Sequence, residues 1–170
     1  LSSVMLISQA QNDIRASFWT ALFVIWLLFI KPRTSDLMVG VQSVWAQTLG
    51  ITTVFNTFWL LENAAVGIVA IWIITWSAAR HFFGNYEEPH YKILSMGWGF
   101  LATQLAWLGF HWINYYQVLG IKLSNTVVLI AMIAATLGVL YHYQKNEQLV
   151  RAKVIENIIF SGVLIVIILL

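Results

Sequence analysis

The stretch ASFWTALFVIWLLFI, residues 16–30, contains no charged side chain. In hydrocarbon, where no water can complete its hydrogen bonds, a segment of that length satisfies its own backbone only as an α-helix. Arg15 and Lys31 flank it with stems long enough to carry their charges to the headgroups, and Pro32 stops it. The same logic extends along the chain. Only 9% of the 170 residues are charged and 60% are hydrophobic, against roughly 25% charged in soluble domains. So few charges cannot cover an aqueous surface, and the expected class is an all-α polytopic transmembrane bundle forming a single domain over 1–170. A net charge of +2 with no basic stripe excludes nucleic acid as a partner class, and the absence of cysteine removes disulfides and thiolate chemistry. The opening LSSVMLISQAQND has no basic n-region, so no secretory signal is read. With no initiating Met and an end in mid-hydrocarbon, GVLIVIILL, the sequence is expected to be part of a longer chain.

Further apolar runs predict helices over 64–79, 93–115, 123–143 and 154–170, with Ser124, Asn125 and Thr126 as a capping run at the start of one of them. Residues 37–61 are amphipathic. On a helix, Val44, Ile51, Val54, Phe55 and Phe58 fall on one side, and Gln42, Ser43, Thr52, Thr53, Asn56 and Thr57 on the other. Such a helix either crosses with its polar side turned into a bundle or lies in the interface. Basic residues favour the first. If 37–61 crosses, six spans place Lys31, Arg33, Arg80, Lys92, Lys145, Arg151 and Lys153 on one side, seven of nine, whereas five spans divide them six against three. The expectation is about six spans, five being the alternative, with both ends outside.

Polar residues offer few candidate sites. RHFFGNYEEPHYK, residues 80–92, holds His81, Glu87, Glu88 and His90, all competent metal ligands. It has neither an H-E-x-x-H nor a helical E-x-x-H pattern, and Gly84, Asn85 and Pro89 indicate a turn, so a strap is expected in preference to a metal site. His81 with His142 is the one histidine pair at matching depth for a haem. No cofactor is expected. A transport pathway along Gln42, Gln47, Asn56 and Glu62 follows if the region around the Glu62–Asn63 turn lines a cavity. Small residues recur at Gly99, Ala102, Ala106 and Gly109, and again at Ala131, Ala134, Ala135 and Gly138, surfaces suited to close helix packing. Many of the nine tryptophans lie near span ends, as in an aromatic belt. No nucleophile elbow, Walker loop or dinucleotide glycine pattern is present.

In KPRTSDLMVGVQSVWAQTLGITTVFNTFWLLEN, residues 31–63, and WGFLATQLAWLGFHW, residues 98–112, the sequence resembles uncharacterised multi-span membrane proteins of small-genome candidate-phyla bacteria. The resemblance implies a bacterial inner-membrane location and no catalytic residue. The expected function is a non-catalytic accessory or scaffold unit in the bilayer, packing against other membrane subunits or a second copy. A transporter or channel-like component is the alternative, and a histidine-based haem or metal redox protein the third class.

Overall fold

The computed structural model describes residues 35–58, 64–111, 115–118, 121–146 and 151–169. Five helices account for nearly all of them: α1, Asp36–Phe58; α2, Ala64–Asn85; α3, Tyr91–His111; α4, Asn125–Lys145; and α5, Arg151–Leu169. Among the described residues three stretches are long and apolar enough to cross a membrane, Ala65–Asn85, Tyr91–His111 and Asn125–Lys145. At 21 residues each, they rise about 31 Å, the thickness of a hydrocarbon layer. The bundle is therefore compatible with an integral membrane protein. The expected span 16–30, and the Glu62–Asn63 turn, lie outside the described residues.

Several expected boundaries move, each for a local reason. The helix expected over 64–79 continues to Asn85, because Arg80 is accommodated on its side, 5.5 Å from the Trp76 ring and 5.9 Å from that of Tyr91. The expected loop over 80–92 shrinks accordingly to a tight turn between Asn85 and Tyr91. The helix expected over 93–115 ends at His111. Tyr115 belongs instead to an antiparallel hairpin, β1 Tyr115–Val118 with β2 Ile121–Ser124, in the register Tyr115↔Ser124 and Val118↔Ile121. Tyr115, Tyr116, Val118 and Ile121 suit a strand better than a helix terminus; the architecture is all-helical as expected, with this short hairpin inserted between α3 and α4. The helix expected over 123–143 runs from Asn125 to Lys145, since Ser124 is its N-cap and accepts from the Thr126 N–H at 3.2 Å. The last helix, expected over 154–170, starts earlier, at Arg151.

Helix α1 is the centre of the arrangement. It packs against α2, α4 and β2, while α3 lies on α2 and α5 on α4. Ile51, Thr52, Thr53, Val54 and Phe55 are consecutive and all buried, so this part of α1 is enclosed on every side. The polar members of that run keep their hydroxyls satisfied within the helix, Thr52 donating to the Thr48 carbonyl and Thr53 to that of Leu49. Around them sits one apolar cluster, Ile51, Val54 and Phe55 with Ile71, Ala102, Ala106, Val127 and Ile130. Phe55 and Phe110 stack at 4.4 Å. All of these positions lie in the C-terminal half of α1 and α3 and the N-terminal half of α2 and α4, which is one end of the bundle.

Two glycines set how closely the helices approach there. A Cβ at Gly50 would stand 2.7 Å from Ile74 Cγ2, and one at Gly109 would stand 2.7 Å from Thr126 Cβ and closer still to its hydroxyl. Both contacts are shorter than real side chains tolerate. Gly99, buried with Ala102 and Ala106 on the same face of α3, receives Trp72 and Trp76. The outer faces are the reverse: Ile93, Phe100 and Trp107 on α3 and Ile158, Phe160 and Val163 on α5 are large, apolar and exposed.

The turn after α2 is a Schellman closure. Glu88 N–H donates to the Phe83 carbonyl and Glu87 N–H to that of Gly84, both at 3.2 Å, and Glu87 takes the left-handed conformation with φ 51°. Pro89 then prevents the helix from resuming. Two expectations follow. Gly109→Ala should lower stability by about 1–3 kcal/mol through overpacking against Thr126, read from thermal unfolding in mild detergent. Glu87→Gly should raise it by about 0.5–1 kcal/mol, since glycine occupies that conformation without a Cβ penalty; Glu87→Val should lower it in the same assay.

Candidate functional site

Among the described residues the opposite end of the bundle is not filled. Between the N-terminal half of α1, the C-terminal halves of α2 and α4, and the start of α3 lies a crevice of about 500 Å³, within the range of small-molecule sites. It follows α1 from Asp36 to Thr48, about 18 Å along the helix axis. Its walls are mainly apolar: Leu37, Val41 and Val44 of α1, Ala78, Phe82 and Phe83 of α2, Ala134, Leu137 and Leu140 of α4. Phe82 is buried at the base, its ring 3.4 Å from where a Cβ of Gly40 would be and 3.9 Å from that of Gly138. An aromatic ring wedged between two glycines fills the centre while leaving α1 and α4 apart on either side of it.

A row of α1 residues at helical spacing faces the crevice: Asp36, Gly40, Ser43 and Gln47. Gln47 is 3% exposed and its side-chain oxygen accepts from the Trp98 indole at 3.0 Å. An indole can only donate, which settles the orientation of the amide. Ser43 is 6% exposed, and its hydroxyl has no hydrogen-bond partner among the described residues. That contrasts with Thr48, Thr75, Ser95, Thr103 and Thr136, whose hydroxyls donate to the carbonyl one turn back at 2.6–2.8 Å.

The mouth is closed by a polar belt. Asn85 donates to the Asp36 carboxylate at 3.0 Å, tying α2 to the start of α1. Tyr86 and the His142 Nδ1 share a hydrogen bond of 2.8 Å, and Glu88 accepts from the Tyr141 hydroxyl and, at 3.0 Å, from the Lys145 ammonium. The turn between α2 and α3 therefore straps α1 to α4 across the end of the crevice. Phe82, Phe83, Tyr86 and Tyr141 pack edge to face behind it, with ring centroids 5.0–5.6 Å apart. Burial, reinforced by the Asp36 carboxylate, pushes the Tyr86 hydroxyl up to about 12, so it is neutral at physiological pH. The donors Tyr141 and Lys145 hold the Glu88 carboxyl below its ordinary value, with His90 adding to the effect.

Of the residues expected to form a transport pathway, Gln47 alone lines the crevice. Gln42 is half-buried outside it, Asn56 donates to the Thr52 carbonyl at 2.8 Å, and Glu62 lies outside the described residues. The two histidines considered for a haem line different clefts. His142 faces the crevice, and His81 faces a shallow groove with Trp76 and Arg80. Glu87 is the left-handed turn residue, Glu88 belongs to the strap and His90 is exposed. Among the described residues no three His, Asp or Glu side chains gather. The first small-residue series, Gly99, Ala102, Ala106 and Gly109, is buried within the chain. In the second, Ala131, Ala134 and Gly138 are half-buried and Ala135 is exposed, and Ala134, Ala135 and Gly138 line the crevice. Ser43 and the strap residues Tyr86 and Tyr141 carry no functional motif in the sequence. The i, i+4 pairing of Ser43 with Gln47 is the local signal that could have singled them out.

Comparison with family models, curated proteins and solved structures gives no match. Fold and site together define the class: a helical bundle with membrane-length apolar helices and a strapped, apolar crevice at one end.

A carboxyl held lower in the folded protein than in the unfolded chain adds stability above its ordinary range, and loses that contribution as pH falls through the folded value. The strap should therefore loosen in acid. Hydrogen exchange at residues 86–91 should accelerate as pH is lowered past that value, after correction for intrinsic rates. Glu88→Gln should exchange faster at neutral pH and show a flatter dependence.

Proposed function

We propose that this chain is a multi-pass membrane protein that holds an apolar ligand drawn from the bilayer, a non-catalytic binding or carrier unit. The observation that carries the reading is the contrast between the two ends of the bundle. One end is packed so closely that Gly50 and Gly109 admit no Cβ; the other keeps an apolar crevice of about 500 Å³ open along α1. Flexible apolar side chains close such a space unless something holds it open, and here Phe82 and the strap do so. The large exposed residues of α3 and α5 suit contact with lipid. An accessory role among other subunits remains compatible with this function, but the first small-residue series supports it less, because that series packs inside the chain.

A carrier of this kind should be labelled saturably. In mild detergent, a long-chain fatty alcohol bearing a diazirine should attach to residues 37–48 and 134–144, and Ala134→Trp, which fills the crevice, should reduce that labelling about tenfold. Unsaturable labelling spread over the outer faces of α3 and α5, unaffected by Ala134→Trp, would overturn the reading.

A further inference from the structure

The crevice is apolar but not uniformly so, and its polar groups are selective. Ser43 sits seven residues beyond Asp36 on the same face of α1, about 10 Å inside the mouth. Its hydroxyl is buried and, among the described residues, has no partner, a condition that costs free energy unless a ligand relieves it. Four residues on, Gln47 gives its side-chain oxygen to Trp98, and that bond turns the NH2 group of the amide away from the indole. Positions i and i+4 are neighbours on a helix surface, so two donor groups stand one turn apart on one wall. Charge narrows the ligand further. Among the described residues Asp36 is the one Asp, Glu, Lys or Arg in the lining, and Lys145, at the mouth, is already engaged by Glu88. An anionic head would meet a carboxylate at the entrance and, among those residues, no free cation inside, and its burial without a partner is prohibitive.

We propose that the crevice selects a neutral long-chain amphiphile whose carbonyl oxygen, part-way along its apolar body, accepts a hydrogen bond from the Ser43 hydroxyl, with Gln47 beside it. The inference rests on the crevice being a ligand site, and deepens that reading by naming the ligand's chemistry. The apolar walls take the chain on either side of the carbonyl, and the belt of Tyr86, Tyr141 and His142 covers the outer end. A saturated hydrocarbon of the same length fits the same space and leaves Ser43 unsatisfied.

The test uses the full chain in mild detergent and two probes, a long-chain ketone with its carbonyl near mid-chain and the alkane of equal length, each competing with the diazirine alcohol. The wild type should favour the ketone by about tenfold. Ser43→Ala should bring the ratio to about one while still binding the alkane, and Ser43→Thr should keep the preference. The carbonyl stretch of carbon-13-labelled ketone should shift to lower frequency in the wild type and Ser43→Thr, and not in Ser43→Ala. Equal binding of the two probes to the wild type, with Ala134→Trp excluding both, would overturn the carbonyl inference and leave the crevice reading standing. If neither probe competes, or if cysteines at Val41 and Phe23 cross-link efficiently in the wild type, the space belongs to the chain's own residues 16–30 and both conclusions fail.

Discussion

The close approach of four helices around Gly50 and Gly109 is the contact on which the rest of the structure depends. A methyl group at either position would collide with the side chain of Ile74 or Thr126, so each glycine lets a neighbouring side chain lie directly against its backbone. Helices are stiff rods, and rods drawn together at one end diverge or stay parallel at the other according to what lies between them. Here Phe82 lies between, its ring set between Gly40 and Gly138. The space beside that ring is the crevice.

A wedge alone would leave the open end free to splay, and the strap opposes that. The turn from Tyr86 to His90 is short because Glu87 adopts a left-handed conformation and Pro89 stops the helix. Its side chains therefore project over the end of the bundle, where Tyr86 reaches His142 and Glu88 reaches Tyr141 and Lys145. Asn85 secures the start of α1 through Asp36. Each link is modest at a surface, yet together they reinforce the Phe82 wedge in connecting three helices at the end that holds the crevice. The same turn brings the neutral Tyr86 hydroxyl to the entrance and holds the Lys145 charge against Glu88. That choice of groups agrees with a ligand that arrives from hydrocarbon.

Much of the architecture was legible in the sequence. Charge-free runs announced helices of membrane length, Ser124 announced the start of α4, and the small-residue series on α3 lies on the buried face of that helix. A turn was expected across 80–92 from Gly84, Asn85 and Pro89, but Gly84 and Asn85 close α2 and the turn is confined to the residues between Asn85 and Tyr91. Boundaries were less legible, because hydropathy does not register that Arg80 can lie across Trp76 and Tyr91 and let the helix run on. The hairpin at 115–124 was hidden because Tyr115 continues the run that ends α3 and Leu123 the run that opens α4, and hydropathy cannot distinguish a short strand from a helix end.

The candidate site was legible only in fragments. Gln47 stood out as a polar residue in an apolar region, but Ser43 looked like one of several hydroxyls that a helix satisfies internally. By itself the sequence determined that the chain would form apolar helices, because an uncharged backbone in hydrocarbon has no other way to complete its hydrogen bonds. Only the tertiary structure decided which half of those helices would close and which would stay open. That outcome depends on where a glycine of one helix meets a bulky side chain of another, and contact between residues far apart in the chain has no signature in local pattern.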